Sequence, residues 1–222
     1  MFIGHYGPAL ALTSARAKVP LWHYVVAVQF LDYLWAAFIL TGVEKARVTP
    51  GFLSASPLDL YYMPYTHSLA AALAWSIVGA GVYGTAVNRE AGAKGAALIG
   101  VAIFSHWLAD LLVHAKDLAL YPGSATKLGL GLWSSVAVSQ TLEAALTAGG
   151  FLLYLAATRP KGGFGRAAPI ALCAALIGAQ AVNLILAPPG DIREVASTAL
   201  AIYSVFAALA YFMDRTRAAR QV

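Results

Sequence analysis

Apolar residues in this chain arrive in long unbroken runs, which neither alternate nor keep to one helical face. Six stand out, at about 19–43, 66–87, 95–116, 129–157, 167–187 and 195–213. Runs of roughly 20 residues match the roughly 30 Å hydrocarbon core of a bilayer at 1.5 Å per helical residue. A shorter run, about 2–15, precedes them and ends at Arg16 and Lys18. As a helix it would be only ~21 Å long, which fits a short span or a re-entrant helix. Small residues recur inside the runs, as in GAALIG and AALIGAQA, and let helix backbones approach closely. The pattern predicts an all-α, polytopic transmembrane bundle: six long helices and the short N-terminal one, in a single integral membrane domain over 1–222. The longest connection, about 44–65, is rich in proline and tyrosine and is expected at the interface as an aromatic belt or cover.

Composition agrees with a membrane solvent. Of 222 residues 60% are hydrophobic and 11% charged, against about 25% charged in soluble domains, and the mean hydropathy is +0.70. The opening MFIGHYG has no basic stretch and no small-residue cleavage pattern, so no removable signal peptide is expected. The single cysteine, Cys173, lies in an apolar run and reads as a packing residue. The net charge of +5 would suggest nucleic acid in a soluble protein, but these basic residues are dispersed over short loops, so no nucleic-acid partner is expected. They divide by side instead. Arg16, Lys18, Arg89, Lys94, Arg159, Lys161, Arg166, Arg215, Arg217 and Arg220 fall at one end, and Lys45, Arg47, Lys116, Lys127 and Arg193 at the other. The richer group marks the cytoplasm and puts the C-terminus there.

Ionisable residues inside the runs carry the candidate chemistry, because an Asp at the bilayer centre costs about 2.5–3.5 kcal/mol and needs a partner. FSHWLADLLVHAKD places His106, Asp110 and His114 four apart, within about 80° of one helix face, with Asp117 on the same stripe if the helix continues. Histidine and carboxylate at that spacing can grip one metal ion. Asp32 in QFLDYLW, His67 in PYTHSLA and His5 in GHYG fall at similar depth once helix directions are considered. His5, Asp32, His67, His106 and Asp110 therefore form a candidate ligand set for a divalent metal, zinc foremost, as one or two ions. The competing reading is a polar stripe that bonds helices together without an ion. His23 lies about half a turn away from Asp32 and near the other end, outside this set. Glu143, with Ser139, Gln140 and Thr147, makes a second polar stripe, and Glu143 or His114 is the candidate proton carrier. Glu44, Asp59, Asp191 and Glu194 fall in connections and are expected in solvent. GLGLG near 129–131 is expected as helix packing, and no phosphate-binding glycine loop is present.

GHYGPAL, FLDYLW, YTHSL and SHWLAD, in that order over residues 3–115, resemble the motifs of the bacterial membrane-bound metal-dependent hydrolases, the group with a LexA-regulated inner-membrane member. FLDYLW keeps one acidic residue where that family carries two, and Tyr62 and Met63 stand where it carries a His-Arg pair. The resemblance implies a bacterial inner-membrane hydrolase. Its substrate would be a lipid or lipid-linked ester or phosphoester, attacked by metal-activated water. The alternatives are a transporter or channel moving protons or metal ions through the same His and Asp residues, and a structural subunit. The absence of inverted repeats weighs against transport.

Overall fold

The computed structural model describes residues 1–187 and 189–220. The N-terminal segment is a 3-10 turn (Ile3–His5), α1 (Tyr6–Leu12) and a second 3-10 turn (Thr13–Ala15). α2 (Leu21–Val28) and α3 (Phe30–Thr41) follow, then the antiparallel hairpin β1 (Lys45–Leu53) and β2 (Ser56–Tyr62). α4 (Leu69–Val82) runs into a π turn at Tyr83–Val87, and α5 spans Gly92–Val113. A small hairpin of β3 (Leu118–Ala119) and β4 (Lys127–Leu128) leads to α6 (Val136–Ala157). β5 (Thr158–Pro160), α7 (Gly163–Ile185), α8 (Ile192–Thr216) and β6 (Arg217–Ala219) complete the chain.

Among the described residues five helices are long and apolar enough to cross a membrane, and six if α2 and α3 count as one bent span. Their outer faces are apolar: Phe164 is 85% exposed, Ile185 79% and Ile77 73%. Polar groups are instead gathered inside, where His5, His106, Asp110 and Glu143 are buried. This inversion of the soluble pattern, with span length, identifies an all-α integral membrane bundle. The two groups of basic residues separate by end as expected. At one end Lys94 Nζ donates to the Ala15 carbonyl at 2.6 Å and Asn88 Nδ2 to that of Lys18 at 2.7 Å. There too Arg217 donates to the Gly165 carbonyl at 2.6 Å and to Thr158, tying β5, α7 and β6 together. At the other end Arg193 donates to the Leu40 carbonyl at 2.8 Å, and Lys127 to that of Tyr61 at 3.2 Å.

Several boundaries differ from expectation. The run 19–43 is two helices bent by 48° at Gln29. Residues 44–65 form a two-stranded hairpin, whose tip is held where Ala55 N–H donates to the Trp133 carbonyl at 2.9 Å. α5 ends at Val113 because the chain returns against it: Leu130 N–H donates to the Leu111 carbonyl at 2.8 Å and Gly131 N–H to that of His114 at 2.7 Å. Residues 129–131 are thus a connection that satisfies helix-end carbonyls, where helix packing was expected. Gly129, at φ 149°, admits no side chain, since a Cβ would lie 1.7 Å from the Ala115 carbonyl oxygen. The N-terminal segment does not cross the bundle: it starts at the buried Met1 and His5 and runs to the end at Arg16.

That segment is seated by a close backbone approach between α1 and α6. A Cβ on Gly150 would lie 2.3 Å from the Gly7 carbonyl oxygen, whereas one on the neighbouring Gly149 would meet nothing within 4 Å. Gly150→Val should therefore lower the thermal midpoint of the purified protein, by an overpacking cost of about 1–3 kcal/mol. Gly149→Val should leave it near the wild-type value; equal effects of the two would show that the approach does not seat α1.

Candidate functional site

The break between α2 and α3 is where the site begins. In a continuous helix the Val28 carbonyl would bond four residues on; here His106 Nδ1, from the middle of α5, lies 2.6 Å from it. A side chain entering the helical ladder is a recognised cause of a kink. A carbonyl only accepts, so Nδ1 carries the proton, and Nε2 faces Asp110 Oδ2 at 3.0 Å and Asp32 Oδ1 at 3.5 Å. His106 is fully buried, and its Nε2 has no hydrogen-bond partner.

His67 is set by a relay. Thr66 Oγ1 donates to Glu44 Oε2 at 2.6 Å, so the 2.7 Å contact from His67 Nδ1 to Thr66 Oγ1 must have the imidazole N–H as donor. His67 Nε2 then points to Asp32 Oδ1 at 3.4 Å and Asp110 Oδ2 at 3.6 Å. Glu44 also accepts from the backbone N–H groups of Tyr65 and Thr66, at 2.8 and 3.0 Å. It is 1% exposed, which overturns its expected place in solvent: a carboxylate just beyond α3 is drawn inward by three donors. The Ser68 hydroxyl donates to the Pro64 carbonyl at 2.7 Å and caps α4.

His114 follows the last residue of α5 in extended conformation. Its Nδ1 is 2.9 Å from Asp117 Oδ1, leaving Nε2 toward Asp110 Oδ1 at 3.6 Å. Asp117 thus meets His114 through a turn, since the helix stops short of it. His5 stacks on His106, with ring centroids 3.8 Å apart and planes 6° from parallel, and places Nε2 3.2 Å from Asp110 Oδ1. Neither ring nitrogen of His5 has a hydrogen-bond partner. The Met1 ammonium donates to Asp110 Oδ1 at 2.7 Å, and Tyr203 Oη to Asp32 Oδ2 at 2.8 Å.

The five positions proposed as ligands therefore converge. Possible ligand atoms of His5, Asp32 and His106 lie within 4.8 Å of one another, as do those of His67, His106 and Asp110. Histidine nitrogens directed inward by outer-shell acceptors, beside two carboxylates, are a donor set suited to a divalent cation. His23 stays outside, with Nδ1 2.7 Å from Tyr83 Oη. Glu143 lines the adjoining cavity, and its Oε2 accepts from the backbone N–H groups of Phe2 and Gly4, at 3.0 and 3.2 Å, and so holds the turn that carries His5. Glu44, Tyr203 and Gly129–Gly131 escape sequence reasoning, because nothing local marks them as neighbours of the cluster.

A cavity of about 800 Å³ adjoins the cluster. Asp32, His67, Asp110 and His114 line it on one side, α6, α7 and α8 on another, and the tip of the β1–β2 hairpin roofs it.

The hydrogen bonds place a proton on Nδ1 of three rings. Imidazole ¹⁵N spectra of selectively labelled protein should show a protonated Nδ1 for His67, His106 and His114, and Thr66→Val should perturb the His67 pair alone. A His67 ring protonated only on Nε2 would contradict the relay.

No family model, no curated protein and no solved structure matches the chain.

Proposed function

We propose that the chain is a membrane-embedded, divalent-metal-dependent hydrolase that acts on a lipid or lipid-linked ester from within the bilayer. The observation that carries this reading is the shared orientation of three histidines. Val28, Thr66 and Asp117 each engage an Nδ1, and every corresponding Nε2 is turned to Asp110 or Asp32. A stripe that merely joins helices has no need of that uniformity. His67, His106 and Asp110 would hold one zinc ion, and His5 and Asp32, sharing His106, would complete or extend the site. Bound there, the ion would supply Lewis acidity and activation of water.

The chain's own residues supply the rest. Tyr203 orients Asp32, and Asp117 orients His114. His114 faces the cavity and is placed to carry a proton at Nε2. Its position at the end of α5, beneath the hairpin, favours a substrate arriving at the interface. Cavity-lining residues at and just past the end of α7 support lateral entry: Leu184 is 45% and Leu186 63% exposed, so this wall is continuous with the lipid-facing surface. A lipid could present its polar end to the cluster with its chain still among the tails.

The metal reading is tested by titrating purified, metal-stripped protein with zinc. One or two ions per chain should bind, and His67→Ala combined with His106→Ala should abolish binding while the helical spectrum is kept. Glu44→Gln, which disturbs only the relay, should weaken binding 10–100-fold. A folded wild-type protein indifferent to zinc would sink the reading. For the substrate, each methylene removed from the acyl chain should weaken apparent binding by about 0.8 kcal/mol, whereas chain-independent turnover of a soluble ester would refute lipid entry. The basic-residue split implies that 88–94 and 159–166 are cytoplasmic. Impermeant labelling of single cysteines from outside should then modify 44–65 and 117–128 alone; the opposite pattern would place the cavity on the cytoplasmic side.

A further inference from the structure

The cavity has a second polar feature, on helices that contribute nothing to the histidine cluster. Gln180 of α7 donates through Nε2 to Gln140 Oε1 of α6 at 2.6 Å. Both line the cavity, together with Asn183 one turn along α7. Gln180 is only 6% exposed, and its Oε1 is buried without any hydrogen-bond partner. An unpaired amide oxygen in such surroundings is destabilising unless something bonds to it. Nothing in helix packing requires it, since the interhelical bond uses the other end of the amide.

Charge around the same cavity points to what would bond there. Its described lining carries the carboxylates of Asp32, Asp110 and Glu143 and no lysine or arginine. Of the five basic residues at that end of the bundle, three are engaged elsewhere, Arg47 with Asp59 at 2.6 Å, Lys127 with the Tyr61 carbonyl and Arg193 with that of Leu40, and neither Lys45 nor Lys116 lines the cavity. One divalent ion together with the Met1 ammonium, 2.7 Å from Asp110, just balances the three carboxylates, so a one-ion site has no surplus positive charge to attract an anionic head group. Phosphate recognition ordinarily recruits arginine forks or lysine. A hydroxyl or secondary amide needs no such charge. Each carries both a donor and an acceptor, so it can meet a glutamine amide in either rotational setting.

We propose that Gln140, Gln180 and Asn183 form a head-group subsite that selects a neutral amphiphile bearing a hydroxyl or amide beside its acyl chain, and disfavours an anionic one. The proposal rests on the reading of this cavity as a lipid-substrate site, and it narrows the substrate class from lipid esters in general to uncharged, hydrogen-bonding ones.

The test uses full-length protein in phosphatidylcholine nanodiscs, with a fluorescent fatty amphiphile displaced by three probes of one acyl length. These are a monoacylglycerol, the matching lysophosphatidate and the matching methyl ester. Monoacylglycerol should displace at a concentration at least tenfold lower than lysophosphatidate. Gln180→Leu should remove about tenfold of its affinity and leave the methyl ester unchanged. Bound zinc is measured on the same samples. Equal or tighter binding of lysophosphatidate, or an equal loss for all three probes in Gln180→Leu, would overturn the subsite. If that happens while zinc still binds, the metal reading stands without it. A preference for the hydroxylated probe that depends on Gln180 in protein that binds no zinc would keep the subsite and remove the metal.

Discussion

The bond between His106 and the Val28 carbonyl is the constraint on which the rest of the site depends. In a bundle surrounded by hydrocarbon a carbonyl released from its helix has no water to turn to, and leaving it bare would cost several kcal/mol. The chain bends by 48° between α2 and α3 and fills the ladder with an imidazole. One contact therefore does three things. It makes the bend tolerable, it turns α3 so that Asp32 faces α5, and it decides which nitrogen of His106 carries the proton.

The same need for internal satisfaction is met differently at the other two histidines. His67 reaches a carboxylate through a threonine hydroxyl, and His114 reaches one directly. A carbonyl, a hydroxyl relay and a carboxylate have little in common except the ability to accept. The result is a buried group of rings whose orientations are set from behind, by residues outside the cluster. In proteins that bind a metal through histidine, losing such a partner costs about 10–100-fold in metal affinity or activity. Glu143 works one step further out: by holding the amides of Phe2 and Gly4 it seats the turn that brings His5 against His106.

Much of this can be read along the chain, and the reason is the cost of charge in lipid. His106 and Asp110 four apart in an apolar run, and Asp32 in another, are conspicuous because the bilayer penalises them. Helix direction then brings His5 and His67 to the same depth. The parts that stay hidden depend on contacts between distant segments. Glu44 looks like one more loop acid until Tyr65 and Thr66 fold back over it. The glycines at 129 and 131 resemble helix-packing residues, whereas the positive φ of each and two backbone bonds to α5 make them a stop for that helix. The break at Gln29 is equally silent, since no proline or glycine marks it and its partner lies 78 residues away. The connection 44–65 reads along the chain as an interfacial belt or cover, and nothing local in it marks the pairing of β1 with β2.

Glu44 immediately precedes β1, so the carboxylate that orients His67 sits at the root of the hairpin roofing the cavity. The roof and the ring therefore share a hinge point. Strands that swing about their base must either carry Glu44 with them, releasing Thr66 and its imidazole, or flex beyond it, in the stretch of irregular register between Val48 and Leu53. Access to the cavity and alignment of its chemistry are in this way mechanically one variable near the root and two separate ones near the tip.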